Sequence, residues 1–258
     1  MDSTQRFSSR VETYLKYRPH YPQAVIATLK EECQMTPECV VADIGSGTGF
    51  LSELFLQNNN KVFAVEPNKE MRIAGENYCR QYEQFDSINS TAEATTLAAN
   101  SVDFAVAAQA FHWFDYAQAR AEFARILKPN GYAVLIWNDR ETQSTPFLCA
   151  YEQLLQTYGT DYREVNHKGT HNRALITLFG LGRWQQKDID YHQLCDYEGL
   201  EGRLMSCSYA PEPGHPHHEP MLAQLSKIFH DYAVDNLVKI EYKTRLFYGQ
   251  LNTCSQLS

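Results

Sequence analysis

The segment from Cys39 to Phe50, CVVADIGSGTGF, limits the possible folds more than any other stretch of the chain. A short apolar run ends at Asp43 and passes at once into Gly45, Gly47 and Gly49. A helical pattern follows, with Leu51, Leu54 and Phe55 on one side. Strand, glycine turn and helix in that order begin a βαβ unit. The rhythm then repeats. Lys61–Pro67 is a second apolar run ending in an acid, and a helix with Asn68 as its cap follows it. Phe85–Ile88 and Ser101–Ala108 read as the third and fourth strands. Ala117–Leu127 reads as a helix, Lys128–Gly131 as a turn and Tyr132–Asn138 as the fifth strand. These runs are continuously apolar and do not alternate, as expected of parallel strands covered by helices on both faces. The prediction is an α/β, doubly wound, mostly parallel sheet.

Beyond Asn138 the rhythm breaks. A helix is expected at Thr145–Tyr158, a strand at Trp184–Asp190 and a helix at Glu198–Met205. Pro211–Pro220 has four prolines in ten residues and reads as a surface loop carrying His215, His217 and His218. A helix from Met221 and a final strand at Val238–Gly249 complete the pattern. Before the first strand, residues 1–9 read as frayed. A short helix is expected at Arg10–Lys16, a turn at Arg18-Pro19 and a second helix after Pro22. The implied division is 1–37, an N-terminal helical segment; 38–138, the core; 139–233, a helical insertion after the fifth strand; and 234–258, a terminal strand completing the sheet.

Composition narrows the functional classes. The 258 residues carry a formal charge of −8, which argues against a nucleic-acid or membrane-surface binder. Seven cysteines, an odd number without a CxxC, argue against a disulfide scaffold or a metal site, so no metal is expected. Neither a signal-like stretch nor an 18-residue apolar window is present, and a cytoplasmic setting is expected.

The glycine turn reads as a nucleotide-cofactor turn, with a ligand-free glycine loop as the other reading, and its spacing points to the kind of ligand. A dinucleotide loop reads GxGxxG, whereas this one reads GxGxG with Phe50 in the place of the third glycine. Asp43, just ahead of the turn, would repel a pyrophosphate and attract an ammonium group. Glu66 lies 21 positions after Gly45, the offset at which a carboxylate accepts hydrogen bonds from ribose hydroxyls. An adenosine joined to an amino acid satisfies both acids, and S-adenosylmethionine (SAM) is such a molecule.

These motifs resemble those of class I SAM-dependent methyltransferases. DIGSGTGF is similar to their first motif and VFAVEP to their acidic second motif. Thr91, Ala92 and Glu93 match the segment beside the adenine. LKPNGYAVLIWN matches the approach to their fifth strand, and AQAFHWFD, YLKYRPHYP and LEGRLMSCSYAP resemble the type 11 methyltransferase group, in its trans-aconitate methyltransferase-like branch. The resemblance implies a seven-stranded Rossmann-like sheet, a helical lid after the fifth strand, and S-adenosylhomocysteine (SAH) as product. It implies cofactor contacts at Tyr14, Arg18, Asp43, Gly45, Ser46, Gly47, Thr48, Gly49, Glu66, Pro67, Met71, Thr91, Ala92, Glu93, Gln109, Ala110 and Phe111. The N-terminal aromatic segment is expected to close over the cofactor.

For the acceptor side, a carboxylate needs no base, whereas a hydroxyl, thiol, amine or carbon is helped by one. His112 is the candidate base, with packing beside Trp113 and Phe114 as the other reading. Asp115 reads as a helix cap. Phe111, Trp113, Phe114, Trp137 and Asn138 are either pocket walls or core. Arg203, with Ser206 and Ser208, either binds a carboxylate or lies on a solvated helix face. The expected enzyme is a monomer or homodimer acting on a small-molecule acceptor, with no nucleic acid or membrane partner. A protein or RNA methyltransferase, a non-catalytic SAM-binding protein and an oxidoreductase are the alternatives.

Overall fold

Burial on both faces turns the apolar runs into the centre of one sheet. The computed structural model describes residues 11–162 and 171–251. The frayed segment expected at residues 1–9 and the thiol of Cys254 lie outside the described residues. Helices α1 (Val11–Tyr17) and α2 (Ala24–Cys33) precede strand β1 (Val40–Ile44). Then come α3 (Phe50–Gln57), β2 (Lys61–Val65), α4 (Lys69–Cys79), β3 (Phe85–Ile88) and β4 (Val102–Ala108). A single 3-10 turn at Phe111–Trp113 leads to α5 (Tyr116–Ile126) and β5 (Leu127–Arg140). The remaining elements are α6 (Pro146–Tyr158), α7 (His171–Phe179), β6 (Gln185–Cys195), α8 (Tyr197–Met205), α9 (His218–Tyr232) and β7 (Val238–Gln250).

The seven strands lie in the order β3-β2-β1-β4-β5-β7-β6. Strands β1 to β5 run parallel, and β7 enters antiparallel between β5 and β6. The strand order reverses between β1 and β4, so a crevice opens at the carboxyl ends of these neighbours. One core cluster packs α5 and α7 against one face of the sheet through Phe123, Ile126, Leu175 and Leu178. A second packs α2 and α3 against the other through Val25, Leu29, Leu54 and Phe55. A third joins α6, α8 and α9 to β6 and β7 through Leu148, Leu204, Leu225 and Ile240.

Three boundaries differ from the sequence expectation. The Lys128–Gly131 turn lies inside β5, because Leu127 already pairs with Val102 before the register shifts and Tyr132 meets Phe104. The four residues bulge out of the ladder, and Lys128 Nζ reaches Asp103 Oδ2 at 2.7 Å. Strand β6 starts one residue after Trp184 and runs five past Asp190, because the long β7 pairs with it from Tyr248 back to Val238. The proline-rich loop ends early: α9 starts at His218, and Pro220 sits in its first turn, where the missing N–H costs nothing. His218 is therefore a buried residue whose Nδ1 lies 2.8 Å from the Pro211 carbonyl, while His215 and His217 stay exposed. Among the described residues no helix is long and apolar enough to cross a membrane, and no three metal-ligating side chains gather at one point.

Candidate functional site

The crevice at the strand-order reversal contains a cavity of about 350 Å³, within the range of small-molecule sites, roughly 300–1,000 Å³. The turns after β1, β2 and β4 form its floor, and the segment after α1 forms one wall.

The glycine turn shapes the floor. Gly45 has φ +73°, and a side chain there would place its Cβ 2.6 Å from the Ala110 Cβ. Gly47 has φ +56° and nothing within 4 Å of the place its Cβ would take, so its backbone faces open space. The Gly45 and Ser46 N–H groups donate to the Val65 carbonyl at 2.8 and 3.2 Å, which fixes the turn to the end of β2. Thr48, also expected from the motif, is a buried lining residue. Gly49 caps α3 behind the turn and does not line the cavity.

Two carboxylates stand at the floor. Glu66 Oε2 accepts from Gly47 N–H at 2.9 Å, and Oε1 accepts from Asn68 N–H at 2.8 Å. Burial raises its pKa against these hydrogen bonds. Asp43 Oδ2 accepts from Ser52 Oγ at 2.6 Å. Burial pushes Asp43 up to about 7, with the Glu66 charge adding in the same direction. Asn68 caps α4 by accepting from Met71 N–H, which presents Pro67 and Met71 to the cavity.

Thr91, Ala92 and Glu93 line the far end. Glu93 Oε1 accepts from Asp115 N–H at 2.9 Å, and Asp115 caps α5 by accepting from Ala117 and Gln118. The β4 turn adds Gln109, Ala110 and Trp113. Gln109 holds a left-handed backbone at φ +52°, and its Nε2 donates to the Asn138 carbonyl at 3.0 Å. Such a conformation in a non-glycine residue persists only where its surroundings hold it.

The N-terminal wall holds Tyr14 together with Pro19 and Tyr21. Motif position did not pick out Pro19 and Tyr21, although both lie in the aromatic YRPHYP run. Phe50 is another lining residue missed in this way. Its ring stacks on His20 at 4.2 Å, meets Tyr14 at 6.1 Å and sits edge-on to Tyr78 at 5.4 Å. Where a dinucleotide loop keeps its third glycine, this chain thus has a ring that receives the N-terminal segment. Leu51, Asn68 and Ala108 also line the cavity without having been expected to, and Phe114 does so as one of the two readings foresaw.

Several expected contacts lie elsewhere. Phe111 is fully buried against Phe114, Tyr116 and Phe123, in the core under the cavity. Trp137 is 3% exposed and packs edge-on to Phe247, because its position on β5 faces the helical layer. His112 lies beside Trp113, ring centroids 4.7 Å apart, and outside the lining. Asn138 accepts from Thr244 Oγ1 at 2.6 Å and donates to the His20 carbonyl at 3.3 Å. Arg18 stands behind Tyr14, its guanidinium 5.0 Å from that ring, and donates to the Ser206 carbonyl at 2.8 Å. Arg203 is not on a solvated face: it is 7% exposed, because α8 turns it into the third core cluster toward Tyr242 and Cys207. Ser206 is buried with its Oγ on the Arg203 carbonyl, and half-buried Ser208 follows in the turn.

The chemistry of the lining is one-sided. Asp43, Glu66 and Glu93 line the cavity, and among the described residues no lysine or arginine does. Such a site repels a pyrophosphate and suits a ligand carrying ammonium or sulfonium charge beside hydroxyl donors. SAM fits that donor set.

Comparison with known proteins agrees. A family model described as a methyltransferase domain matches residues 42–135. An uncharacterized methyltransferase-like protein of Schizosaccharomyces pombe is 30% identical over 249 residues, 95% of this chain and 94% of that protein. An uncharacterized methyltransferase of Mycobacterium tuberculosis is 37% identical over 144 residues, 54% of this chain and 55% of that protein. Among solved structures, one assigned as a type II methyltransferase from Anaeromyxobacter dehalogenans has a TM-score of 0.69 at 20% identity. It covers 91% of this chain and 98% of that one. A SAM-dependent methyltransferase from Geobacter sulfurreducens, solved with SAH, has a TM-score of 0.52 at 15% identity, covering 94% and 98%. At these identities the structural likeness is one of fold. The relative that spans nearly the whole chain, the matched domain and the sheet order place this chain in the class I SAM-dependent methyltransferases, and it belongs to that family.

Proposed function

We propose that the protein transfers a methyl group from SAM to a small-molecule acceptor, with a carboxylate as the acceptor class to screen first. The supporting observation is the acidic floor: two buried carboxylates, Asp43 and Glu66, beside a glycine turn, with no basic side chain in the lining among the described residues.

When bound, SAM supplies a methyl group on a sulfonium sulfur, which leaves as the neutral thioether of SAH. Glu66 would accept hydrogen bonds from the ribose hydroxyls, and Thr91, Ala92 and Glu93 would border the adenine. Asp43 would offset cationic charge near the glycine turn. Tyr14, Pro19, Tyr21 and Phe50 exclude water on the N-terminal side. Holding donor and acceptor in line supplies much of the rate in such a reaction. Among the described residues no histidine, lysine or cysteine lines the cavity, and His112 stands outside it. An acceptor already ionised at neutral pH needs no proton removed, which favours a carboxylate. We further propose that residues 139–233 cover the acceptor side, and that the protein works in the cytoplasm without a nucleic-acid or membrane partner. The finer placement in the trans-aconitate methyltransferase-like branch rests on AQAFHWFD, YLKYRPHYP and LEGRLMSCSYAP and implies no particular acceptor.

Calorimetric titration with SAM, SAH and NAD tests the reading. Micromolar binding of the first two, lost in Glu66→Ala, is expected. Binding of NAD in their place would overturn it.

A further inference from the structure

Between α1 and α8 lies a polar centre short of negative charge. Arg203 is 7% exposed. Its Nε donates to Tyr242 Oη at 3.2 Å and its Nη1 to Cys207 Sγ at 2.9 Å. Arg18 donates through Nη2 to the Ser206 carbonyl, while its Nε is buried with no hydrogen-bond partner. Among the described residues neither guanidinium is paired with a carboxylate. Arg140, on the neighbouring strand, shows the contrast: it meets Glu152 at 2.5 Å. Leaving a buried cation such as Arg203 without a fixed anion is costly.

The group set against them is the Cys207 thiol. Burial works against the Cys207 thiolate, yet Arg18 and Arg203 draw its pKa down to about 7. One fully buried sulfur thus stands opposite two cations. Two guanidinium groups are a planar, multi-donor receptor for a carboxylate or phosphate, better matched to either than to a sulfur.

The centre adjoins the cofactor cavity through one residue. The Arg18 guanidinium lies 5.0 Å from the ring centroid of Tyr14, which lines the cavity together with Pro19 and Tyr21. The same segment is fastened to the C-terminal half. Lys16 and Tyr17 both donate to Glu198 Oε1, at 2.7 and 2.9 Å, and Gln193 Nε2 donates to the Tyr17 carbonyl at 3.0 Å.

We propose that Arg18 and Arg203 form an anion subsite that receives the charged group of the methyl acceptor, and that anion and cofactor bind with positive coupling through the Tyr14–Tyr21 segment. The proposal rests on the methyl-transfer reading. An anion bridging the two guanidiniums holds Arg18 to α8, and a cofactor packed on Tyr14 and Tyr21 holds the same segment from the other side. Whichever binds first orders the wall for the other, and linkage makes the effect reciprocal.

The test is titration of SAH into the full chain at fixed ionic strength, in chloride, acetate, inorganic phosphate, or chloride with acetamide. SAH affinity should rise about fivefold or more in acetate or phosphate, the lower range of such couplings. Acetamide should change nothing. Tightening by acetate alone assigns a carboxylate, and by phosphate alone a phosphate group. In Arg203→Met the tightening, measured against that variant's own chloride value, should vanish. Should Arg203→Met not fold, Arg203→Lys keeps the charge, loses the fork and should lose most of the tightening. SAH binding that is equal in all four media would overturn the subsite and leave the cofactor reading intact. Failure of SAH to bind in every medium would remove the cofactor reading and the coupling together.

Discussion

Glu66 and Gly47 are joined by a 2.9 Å hydrogen bond from the glycine N–H to carboxylate Oε2, which ties the acidic end of β2 to the middle of the glycine turn. The other oxygen accepts from Asn68 N–H. Both oxygens of this side chain therefore face N–H donors, while each keeps lone-pair capacity for a ligand hydroxyl.

Glu66→Gln should separate charge from shape at this position. The amide must set its NH₂ against one of the two N–H donors, so it loses an acceptor and strains the turn. Hydrogen bonds to a charged group contribute about 1.5–3 kcal/mol, so SAH affinity should fall roughly 10- to 100-fold. Calorimetry reads this directly, and an unchanged dissociation constant would remove Glu66 from the ligand site.

Asp43 should make both stability and binding depend on pH. Its carboxyl is raised from the ordinary 3.8 to about 7, mainly by burial. Between those values the folded protein holds a proton that the unfolded chain has lost. Asp43's contribution is therefore fully present below the lower value and disappears as pH rises through about 7. Glu66, also raised, acts in the same sense. A cationic ligand needs the ionised form, so SAM affinity should rise with pH over the same window, with proton release on binding. Asp43→Asn keeps an acceptor for Ser52 and should flatten both profiles. Melting and titration series in which the variant and the native protein show parallel pH dependence would exclude Asp43 as the titrating group.

What the sequence revealed was local. Gly45, Glu66, Asn68 and Asp115 act through neighbours a few residues away or at a fixed βαβ offset, so their roles are legible from order and spacing. Trp137, Phe111 and Arg203 were ambiguous because strand and helix patterns do not say which layer will cover a given face. Trp137 belongs to the core only because α7 and β7 pack there, and Arg203 is buried only because β7 brings Tyr242 beside it. Phe50 escapes the pattern for a different reason. Its position reads as a glycine missing from a dinucleotide motif, whereas its partners His20 and Tyr14 lie in a segment 30 or more positions earlier.

Gly45→Ala should disable the turn without unfolding the sheet. The new methyl would lie 2.6 Å from Ala110 Cβ and 3.1 Å from the Phe114 ring, on a backbone at φ +73°. An L-residue in that region costs on the order of 1–3 kcal/mol, and the turn can avoid the clash only by moving into the cavity. SAH binding should drop below detection while the far-ultraviolet dichroism stays native. Native affinity in a folded variant would show that the turn does not contact the ligand.

Gly202→Ala should detach the N-terminal segment from α8. A Cβ at Gly202 would come within 2.3 Å of the Tyr17 ring, and this ring has little room to retreat while its hydroxyl is held by Glu198. Overpacking of this kind costs typically 1–3 kcal/mol, but here the strain can be relieved by lifting α1 off its seat. The relief has a consequence at a distance, because Tyr14, Pro19 and Tyr21 are the cavity wall that α1 positions. The variant should therefore lose SAH affinity with only a modest fall in melting temperature. Limited proteolysis should cut near Tyr17 faster than in the native chain. Removing the ring that clashes, in Tyr17→Ala with Gly202→Ala, should recover part of the melting temperature but not the affinity, since the wall stays unfastened. Recovery of both would place the whole effect in the packing of α8 and leave α1 without a role in holding the cavity wall.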